Sequence, residues 1–266
     1  MSTPAPASQP ERGLHLAEWA CEALGTALLL IGGLSAVCLD FGAHSPVAAA
    51  IPSRSARLLI TGILFASSGA LVTISPIGRR SGAHLNPAVT LAFYLRRHLH
   101  HHDLFGYVAG QCVGAIVGDA AVRWWWGSRA TSVADGLTQP RAHLASLSAA
   151  GIEAAMTATM VFTILAFVSS ARTARFTPLA AAIVVALLVW QGAPYTDTSL
   201  NPARSLGPAV VTGDFRDYWI YVLGPLSGAV AAVGLYALVP LETYTAKLFH
   251  DVRYRSPFAS LLPVRR

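Results

Sequence analysis

The stretch Ser-Gly-Ala-His-Leu-Asn-Pro-Ala-Val-Thr occupies residues 81–90, and a related stretch, Thr-Ser-Leu-Asn-Pro-Ala-Arg-Ser, occupies residues 198–205. Each contains an Asn-Pro-Ala triplet. Because Asn favours the N-cap and Pro the first helical position, each triplet predicts the start of a helix. The apolar runs that follow end at Leu95 and near Val211. Runs of this length span roughly 13–15 Å, about half of a hydrocarbon core of ~30 Å. The sequence therefore predicts two half-helices whose N-termini meet near the middle of a membrane.

The composition indicates a membrane protein. Of 266 residues, 54% are hydrophobic and only 12% are charged, and the mean hydropathy is +0.51. Several windows approach the ~20 apolar residues that a spanning helix needs. The net charge of +6 comes from basic residues between apolar segments, where they orient a membrane protein, so it does not indicate a nucleic-acid partner.

Six longer apolar segments predict membrane-spanning helices, so the predicted fold class is an all-α membrane protein. Their bounds are about 17–37, 58–74, 104–122, 147–169, 179–191 and 218–239. The order is two spans, a half-helix and a third span, and then the same again. Because each copy crosses the membrane three times, the second copy is inverted relative to the first. The predicted parts are an N-terminal tail (1–16), a first repeat (17–123), a connecting loop (124–146), a second repeat (147–241) and a C-terminal tail (242–266).

The distribution of Lys and Arg predicts the orientation. If the N-terminus is cytoplasmic, twelve of these residues lie inside and six lie outside. The inner set is Arg12, Arg79, Arg80, Arg96, Arg97, Arg172, Arg175, Lys247, Arg253, Arg255, Arg265 and Arg266, and the outer set is Arg54, Arg57, Arg123, Arg129, Arg141 and Arg216. Because positive charge concentrates in cytoplasmic loops, both tails are predicted to be cytoplasmic, the first of them disordered, and the connecting loop extracellular. The expected location is the plasma membrane.

The two triplets predict a pore. The preceding segments, Gly82 to Leu85 and Thr196 to Leu200, would run to mid-membrane in extended form, which is tolerated only where backbone lines a wet cavity or is buried in protein. The predicted pore-lining residues of these loops are Gly82, Ala83, His84 and Ser199. At the centre, the side-chain oxygens of Asn86 and Asn201 would cap their half-helices and leave the amide groups as donors to the pore.

The half-helices also predict exclusion of ions from that pore. Two helix N-termini, each with roughly half a positive charge, would repel a cation at the centre, whereas a neutral hydroxyl-bearing molecule would find hydrogen-bond partners. The predicted central group is Asn86, Pro87 and Ala88 with Asn201, Pro202 and Ala203. The pore is therefore expected to pass neutral molecules.

Arg204 follows the second triplet directly. A charged side chain at membrane depth is costly unless it faces water or a partner, so Arg204 is expected to donate hydrogen bonds to the permeant and to repel cations. The alternative is that Arg204 extends to the outer surface.

Glu22 and Glu153 open equivalent helices of the two repeats. Each is either a proton relay, as in a proton-coupled secondary transporter, or an acceptor for N–H groups of a re-entrant loop. Their symmetric placement favours the acceptor role.

The histidines at positions 98, 100, 101 and 102, with Asp103, follow the first half-helix. They are interpreted as a solvated interfacial turn, with metal binding or pH sensing near 6.5 as the alternative. No cofactor, resident metal or catalytic group is predicted, and the chain is not expected to be an enzyme.

These residues resemble the aquaporin, or major intrinsic protein, family. The resemblance rests on the two Asn-Pro-Ala stretches, on Glu22 and Glu153, and on Tyr-Val-Leu-Gly-Pro at residues 221–225, so it covers nearly the whole chain. It implies a right-handed bundle of six tilted helices and two re-entrant half-helices, assembled as a homotetramer with a pore in each subunit.

The resemblance also implies a selectivity filter, whose positions fall on Ala66, Val189, Thr198 and Arg204. Phe65 is the alternative to Ala66. Strict water channels of the family usually have His where this chain has Val189. The implied filter is wider and more apolar than a water-only one.

Other positions are similar to those of the family's water channels, namely Ser205, Ala209 and the pair Tyr218-Trp219. The expected function is a passive channel for water and for small uncharged solutes such as glycerol, urea or ammonia. Its expected partners are these molecules, the lipid bilayer and further copies of the chain, with no nucleic acid.

Overall fold

A computed structural model describes residues 14–249, and the regular secondary structure of this part of the chain is all helical, without β-strands. The helices are α1 (Leu16–Phe41), α2 (Pro46–Ala50), α3 (Arg54–Ile74), α4 (Pro76–Ser81), α5 (Pro87–Leu95), α6 (His101–Trp126), α7 (Ser128–Thr131), α8 (Ser146–Phe167), α9 (Ala171–Ala174), α10 (Thr177–Thr196), α11 (Pro202–Thr212) and α12 (Tyr218–Tyr236). A 3-10 turn at Ala134–Gly136 lies between α7 and α8.

Six of the described helices are long and apolar enough to cross a membrane: α1, α3, α6, α8, α10 and α12. The six predicted spans are therefore confirmed, although several bounds differ. Helix α3 begins at Arg54 rather than Leu58, and α10 continues to Thr196 rather than ending at Gln191. Polar residues at a membrane surface extend these two helices beyond their apolar runs, whereas α8 and α12 end two and three residues before the predicted bounds of 169 and 239.

The two half-helices also form as predicted, with nine residues in α5 and eleven in α11. The Oδ1 atom of Asn86 accepts a hydrogen bond from the backbone N–H of Ala88 at 2.8 Å, and Asn201 caps α11 through Ala203 at 3.0 Å. Gly213 directly follows the last residue of α11, and its φ of 75° is a left-handed conformation that favours glycine. Both helices are too short to cross a bilayer.

The helices are arranged as two equivalent sets. Helix α1 packs along α6 in the first repeat, as α8 packs along α12 in the second, and α3 packs against α10 across the two repeats. The half-helices pack across the repeats: α5 packs against α12, and α11 packs against α6. Each half-helix thus contacts the third span of the opposite repeat, as an inverted repeat requires.

Small residues bring the paired helices close together. A Cβ atom added to Gly118 of α6 would lie 2.6 Å from the carbonyl oxygen of Ala27 in α1. In the second repeat, a Cβ atom on Gly224 of α12 would lie 2.8 Å from the carbonyl oxygen of Ala150 in α8. Such close backbone packing is how helices associate in lipid, where no hydrophobic force drives them together.

The outer surface of the long helices is apolar. Leu24, Ile63, Val113, Leu179 and Leu223, on five different helices, expose between 48% and 60% of their surface. A continuous belt of such residues is expected where the solvent is lipid rather than water. The chain is a multi-pass integral membrane protein.

The predicted linking segments differ in detail. Of the expected N-terminal tail only 14–16 are described, and Leu16 already begins α1; residues 1–13 lie outside the described part. The expected loop 124–146 begins inside α6 and includes α7. Of the C-terminal tail, 242–249 are described and are docked: the backbone N–H groups of Tyr244 and Leu248 donate to the carbonyl oxygens of Val168 and Gly82. Residues 250–266 lie outside the described part.

Candidate functional site

The two loops that lead into the half-helices share one unusual backbone pattern. Ala83 and Leu85 have φ values of 55° and 52°, and Thr198 and Leu200 have values of 49° and 59°. In each loop these residues lie three and one positions before the Asn. Left-handed conformations are costly for residues with a Cβ atom, so both loops need partners that hold them in place.

Glu22 on α1 holds the first loop. Its carboxylate accepts hydrogen bonds from the backbone N–H groups of His84 at 3.0 Å and Leu85 at 2.7 Å, and from the side chains of Ser81 and Gln111, both at 2.7 Å. Glu22 is fully buried. Four donors therefore surround one carboxylate. It satisfies backbone N–H groups that this irregular loop cannot pair internally.

Glu153 on α8 does the same for the second loop. Its carboxylate accepts from the backbone N–H groups of Ser199 at 3.0 Å and Leu200 at 2.9 Å, and from the hydroxyl of Thr196 at 2.7 Å. It is also fully buried. The two repeats thus match residue by residue, since the accepted N–H groups lie two and one positions before each Asn.

The two loops meet tip to tip. The Nδ2 atom of Asn86 donates to the carbonyl oxygen of Leu200 at 2.8 Å, and the Nδ2 atom of Asn201 donates to that of Leu85, also at 2.8 Å. Each amide group has two N–H bonds, so one remains for another acceptor. The half-helix N-termini are therefore held side by side, with both Asn amides at the junction.

Two adjoining cavities lie next to this junction, and both Asn residues line the inner one. The inner cavity, on the face of the bundle where α1 begins, has a volume of about 120 Å³ and is lined by His84, Asn86, Asn201 and many apolar side chains. The outer cavity has a volume of about 240 Å³ and is more polar. Phe65, Val185, Ser199, Leu200 and Arg204 line both cavities, so they mark the place where the cavities adjoin.

Arg204 is buried at this place, with 6% of its surface exposed. Its Nη1 atom donates to the carbonyl oxygen of Gly136 at 2.7 Å, and its guanidinium carbon lies 5.6 Å from the centre of the Phe65 ring. No carboxylate of the described residues lies within ion-pair distance of it. The remaining N–H groups of Arg204 are directed by these two contacts toward the cavities that it lines.

The other residues expected in the filter are divided between the two cavities. Val189 and Thr198 line the outer cavity together with Arg204. Ala66 lines only the inner cavity, whereas Phe65 lines both and faces the guanidinium. The structure therefore places Phe65, Val189, Thr198 and Arg204 around the outer cavity, whereas Ala66 contributes to the inner cavity alone.

The docked C-terminal segment lies at the inner cavity. Leu248 is one of the lining residues of that cavity, and the carbonyl oxygen of Ala246 lies 2.9 Å from the Nε2 atom of His84. The Nδ1 atom of His84 lies 3.3 Å from the hydroxyl of Thr90. His84 therefore lines the inner cavity, and both its ring nitrogens have protein partners.

His98 in the turn between α5 and α6 does not fit a sensor that titrates near pH 6.5. Burial and the nearby charge of Arg96 lower the pKa of His98 to about 4. The ring is therefore neutral throughout the physiological range. His101, in contrast, is exposed at the start of α6.

Several residues of the site have no signal in the sequence. Gly136 holds Arg204 from a turn that precedes it by 68 positions, and Gln111 of α6 holds Glu22 across 89 positions. Thr138 was likewise not indicated, and its hydroxyl lies 2.8 Å from that of Ser205, which in turn lies 2.6 Å from that of Ser199. Only the Asp135-Gly136 pair, a common turn sequence, could have indicated a special loop.

Known proteins resemble this chain in sequence and in the arrangement of their helices. The sequence model of the family described as "Major intrinsic protein" matches residues 12–236. The chain is 38% identical over 164 residues to "Aquaporin-4" of Bos taurus, an alignment that covers 61% of this chain and 50% of that protein. It is 31% identical over 239 residues to "Aquaporin NIP1-1" of Zea mays, covering 89% and 78% of the two chains. The chain thus spans about half the length of the first of these relatives.

A solved structure has the same fold. The X-ray structure of the aquaglyceroporin from Plasmodium falciparum superposes with a TM-score of 0.69, covering 85% of this chain and 97% of that one. The sequences are 20% identical in this superposition, so the likeness concerns the arrangement of helices.

Proposed function

Because the chain belongs to the major intrinsic protein family, we propose that it is a passive transmembrane channel for water and for small uncharged solutes such as glycerol, urea or ammonia. The observation on which this depends most is the reciprocal hydrogen bonding of Asn86 and Asn201 to the opposite loops, on the wall of the inner of two adjoining cavities. This contact holds two amide donors beside the path that a permeating molecule would take through that cavity. The chain is not proposed to be an enzyme.

We assign the selectivity filter to Phe65, Val189, Thr198 and Arg204. The support is that these four line the outer cavity and that the guanidinium lies over the Phe65 ring. An aromatic ring at the second-helix position makes this filter narrower than one with Ala66, whereas Val189 keeps one wall small and apolar. Such a filter passes water and leaves room for a slender solute whose hydroxyl groups bind Arg204.

Exclusion of cations follows from three positively charged groups that a permeating ion would meet one after another. The N-termini of α5 and α11 each have roughly half a positive charge, and Arg204 adds a full charge within the filter. A cation that enters loses hydration and finds repulsion, whereas a neutral molecule exchanges one set of hydrogen bonds for another.

A proton-coupled transporter is the second candidate, and the surroundings of Glu22 and Glu153 argue against it. Their carboxylates accept seven hydrogen bonds in total, four at Glu22 and three at Glu153, mostly from the loops. A proton added to either carboxylate would displace one of these donors. We therefore assign both carboxylates to loop support.

Flux measurements separate these two functions. Protein in liposomes is exposed to an osmotic gradient, then to gradients of glycerol and of urea, and volume changes are followed by stopped-flow light scattering. A channel gives fluxes that follow the solute or osmotic gradient and persist when a protonophore removes any proton gradient. Flux that stops with the protonophore would establish the transporter.

Val189→His is expected to reduce glycerol flux at least about tenfold while water flux falls much less, because a ring at this position fills the slender space beside Phe65. The paired variant Val189→Ala is expected to change the ratio in the opposite direction. Both rates are measured in one preparation of liposomes for each variant. Equal loss of water and glycerol flux in Val189→His would show that the filter lies elsewhere.

We further propose a homotetramer in the plasma membrane with both termini in the cytoplasm. The supports are the family membership and the excess of Lys and Arg on the side of α1 where the chain begins. The apolar outer surface of the long helices is compatible with both lipid and neighbouring subunits. Each subunit would hold its own pore, because all the proposed filter residues come from one chain.

A further inference from the structure

A cluster of metal-binding side chains lies away from the pore, where α1 and α6 begin. His15, directly before α1, and His102 and Asp103, in the first turn of α6, place one possible ligand atom each within 4.8 Å of the others. The Nδ1 atom of His15 is 2.9 Å from Oδ2 of Asp103, and the Nε2 atom of His102 is 3.2 Å from the same oxygen. Three ligand atoms of the imidazole and carboxylate types that transition metals favour therefore converge on one point.

The burial of this cluster distinguishes it from an ordinary surface pair. Asp103 is fully buried and His15 is 6% exposed, whereas His102 is 30% exposed and leaves a path from solvent. The buried Nε2 atom of His102 makes no hydrogen bond to any described residue, although a carboxylate oxygen lies beside it. A buried polar atom without a partner is uncommon and needs an explanation, which a shared cation would supply.

Neighbouring groups fix the ligands in place. The indole Nε1 atom of Trp19 donates to Oδ1 of Asp103 at 2.8 Å. The Nδ1 atom of His15 lies 2.9 Å from both oxygens of this carboxylate, and His102 lies beside Oδ2. The ring of His100 stacks on that of His102, with centres 5.1 Å apart and planes 10° from parallel. Such outer contacts orient the ligands of metal sites and strengthen binding. Close packing of α1 against α6 keeps the two sides of the cluster at a constant separation.

We propose that His15, His102 and Asp103 bind a divalent transition metal ion of the Zn²⁺ class, with a fourth position left to water. Ligand distances of about 2.0–2.2 Å in a tetrahedral site place the ligand atoms about 3.3 Å apart. The observed 2.9 and 3.2 Å between each histidine and Asp103 differ from this value by a few tenths of an ångström, and the two histidine nitrogens lie within 4.8 Å of one another. Two imidazole nitrogens and one carboxylate suit Zn²⁺, whereas Mg²⁺ and Ca²⁺ prefer oxygen ligands.

The ion would link the start of the first span to the start of the third. Because its ligands come from two helices far apart in sequence, bound metal is expected to stabilise the folded chain over the unfolded one. This inference is independent of the proposed transport function.

The test is Zn²⁺ binding by the full chain in detergent, purified without a histidine tag and measured by equilibrium dialysis with elemental analysis. We expect one Zn²⁺ per chain and no competition from excess Mg²⁺. His15→Ala and His102→Ala are each expected to weaken binding by more than tenfold. Trp19→Phe, which removes the orienting hydrogen bond and keeps an aromatic ring at this position, is expected to weaken it about tenfold.

His101→Ala is the matched control, because His101 is exposed in the same run of histidines and is not part of the cluster. Its affinity for Zn²⁺ is expected to equal that of the parent chain. Unchanged binding in His15→Ala would overturn the proposal, since the exposed run alone would then hold the ion. Equal losses in His101→Ala and His102→Ala would also overturn it.

Thermal unfolding with and without Zn²⁺ gives a second readout that does not depend on dialysis. The parent chain and His101→Ala are expected to unfold at a higher temperature with Zn²⁺ than with a chelator, whereas His102→Ala is expected to show no difference. If His15→Ala does not fold, the partly exposed His102 still decides the question through this comparison. A Zn²⁺-dependent shift retained in His102→Ala would contradict the site.

Discussion

Glu22→Leu is expected to abolish the folded channel. The substitution leaves four donors without an acceptor, namely the backbone N–H groups of His84 and Leu85 and the side chains of Ser81 and Gln111. At about 1–3 kcal/mol for each buried donor, the loss is on the order of 4–12 kcal/mol, comparable with the whole stability of a typical domain. The measurement is the yield of monodisperse protein in size-exclusion chromatography, followed by water permeability in liposomes.

Glu18→Gln is the matched control for this prediction. Glu18 lies one turn earlier on α1, and its contact is with the half-exposed Arg80 at 3.3 Å. Exposed ion pairs contribute about 0–1 kcal/mol, so yield and permeability are expected to stay near those of the parent chain.

Glu22→Gln separates loop support from proton transfer. The amide keeps the size of the carboxylate and one acceptor, so a reduced fraction of chains is expected to fold. Each folded chain is then expected to conduct water at the parent rate. A well-folded Glu22→Gln protein without flux would instead indicate that the carboxylate takes part in proton transfer.

Arg204→Val is expected to open the filter to larger and charged species. The substitution removes the guanidinium that lies over Phe65 and binds the Gly136 carbonyl. Glycerol and urea fluxes should rise relative to water because the constriction widens. A monovalent cation about 6 Å from the guanidinium is repelled by about 3 kcal/mol at an effective dielectric constant of ~20, so proton and cation leak should rise up to about a hundredfold.

Arg216→Val is the comparison for the loss of one positive charge. Arg216 is exposed near the end of α11 and pairs with Asp214 at 2.6 Å. Its removal is expected to leave the ratio of glycerol to water flux and the cation leak unchanged.

Arg204→Lys adds a second comparison, since it keeps the charge but loses the planar set of donors. We expect it to retain most of the cation exclusion while altering glycerol flux. An Arg204→Val channel with parent selectivity would remove Arg204 from the filter.

Patterns local in sequence predicted the helical framework well. The Asn-Pro-Ala triplets gave the starts of α5 and α11 to the residue, because capping by Asn and the fixed geometry of Pro act within one turn. Hydropathy located all six long helices but placed some ends several residues early, as at Thr196. Apolar periodicity does not register polar residues that continue a helix at the membrane surface.

Contacts between distant parts of the chain were harder to predict from the sequence. The sequence indicated Glu22 and Glu153 as loop acceptors from their equivalent positions, but not Gln111 or Gly136, which complete the hydrogen bonds only after folding. The choice between Ala66 and Phe65 depends on the rotation of α3 about its axis, and packing against α10 sets that rotation. The position of His15 beside Asp103 likewise depends on the packing of α1 along α6.

Water permeability and proton conductance, measured in the same liposomes, test the central claim that the paired half-helices admit neutral molecules and repel cations. Water flux is followed by light scattering after an osmotic step, and proton flux by an enclosed pH-sensitive dye after a pH step. The account predicts water flux far above that of protein-free liposomes with no increase in proton flux. Proton flux that rises with water flux, or water flux no faster than through lipid alone, would contradict it.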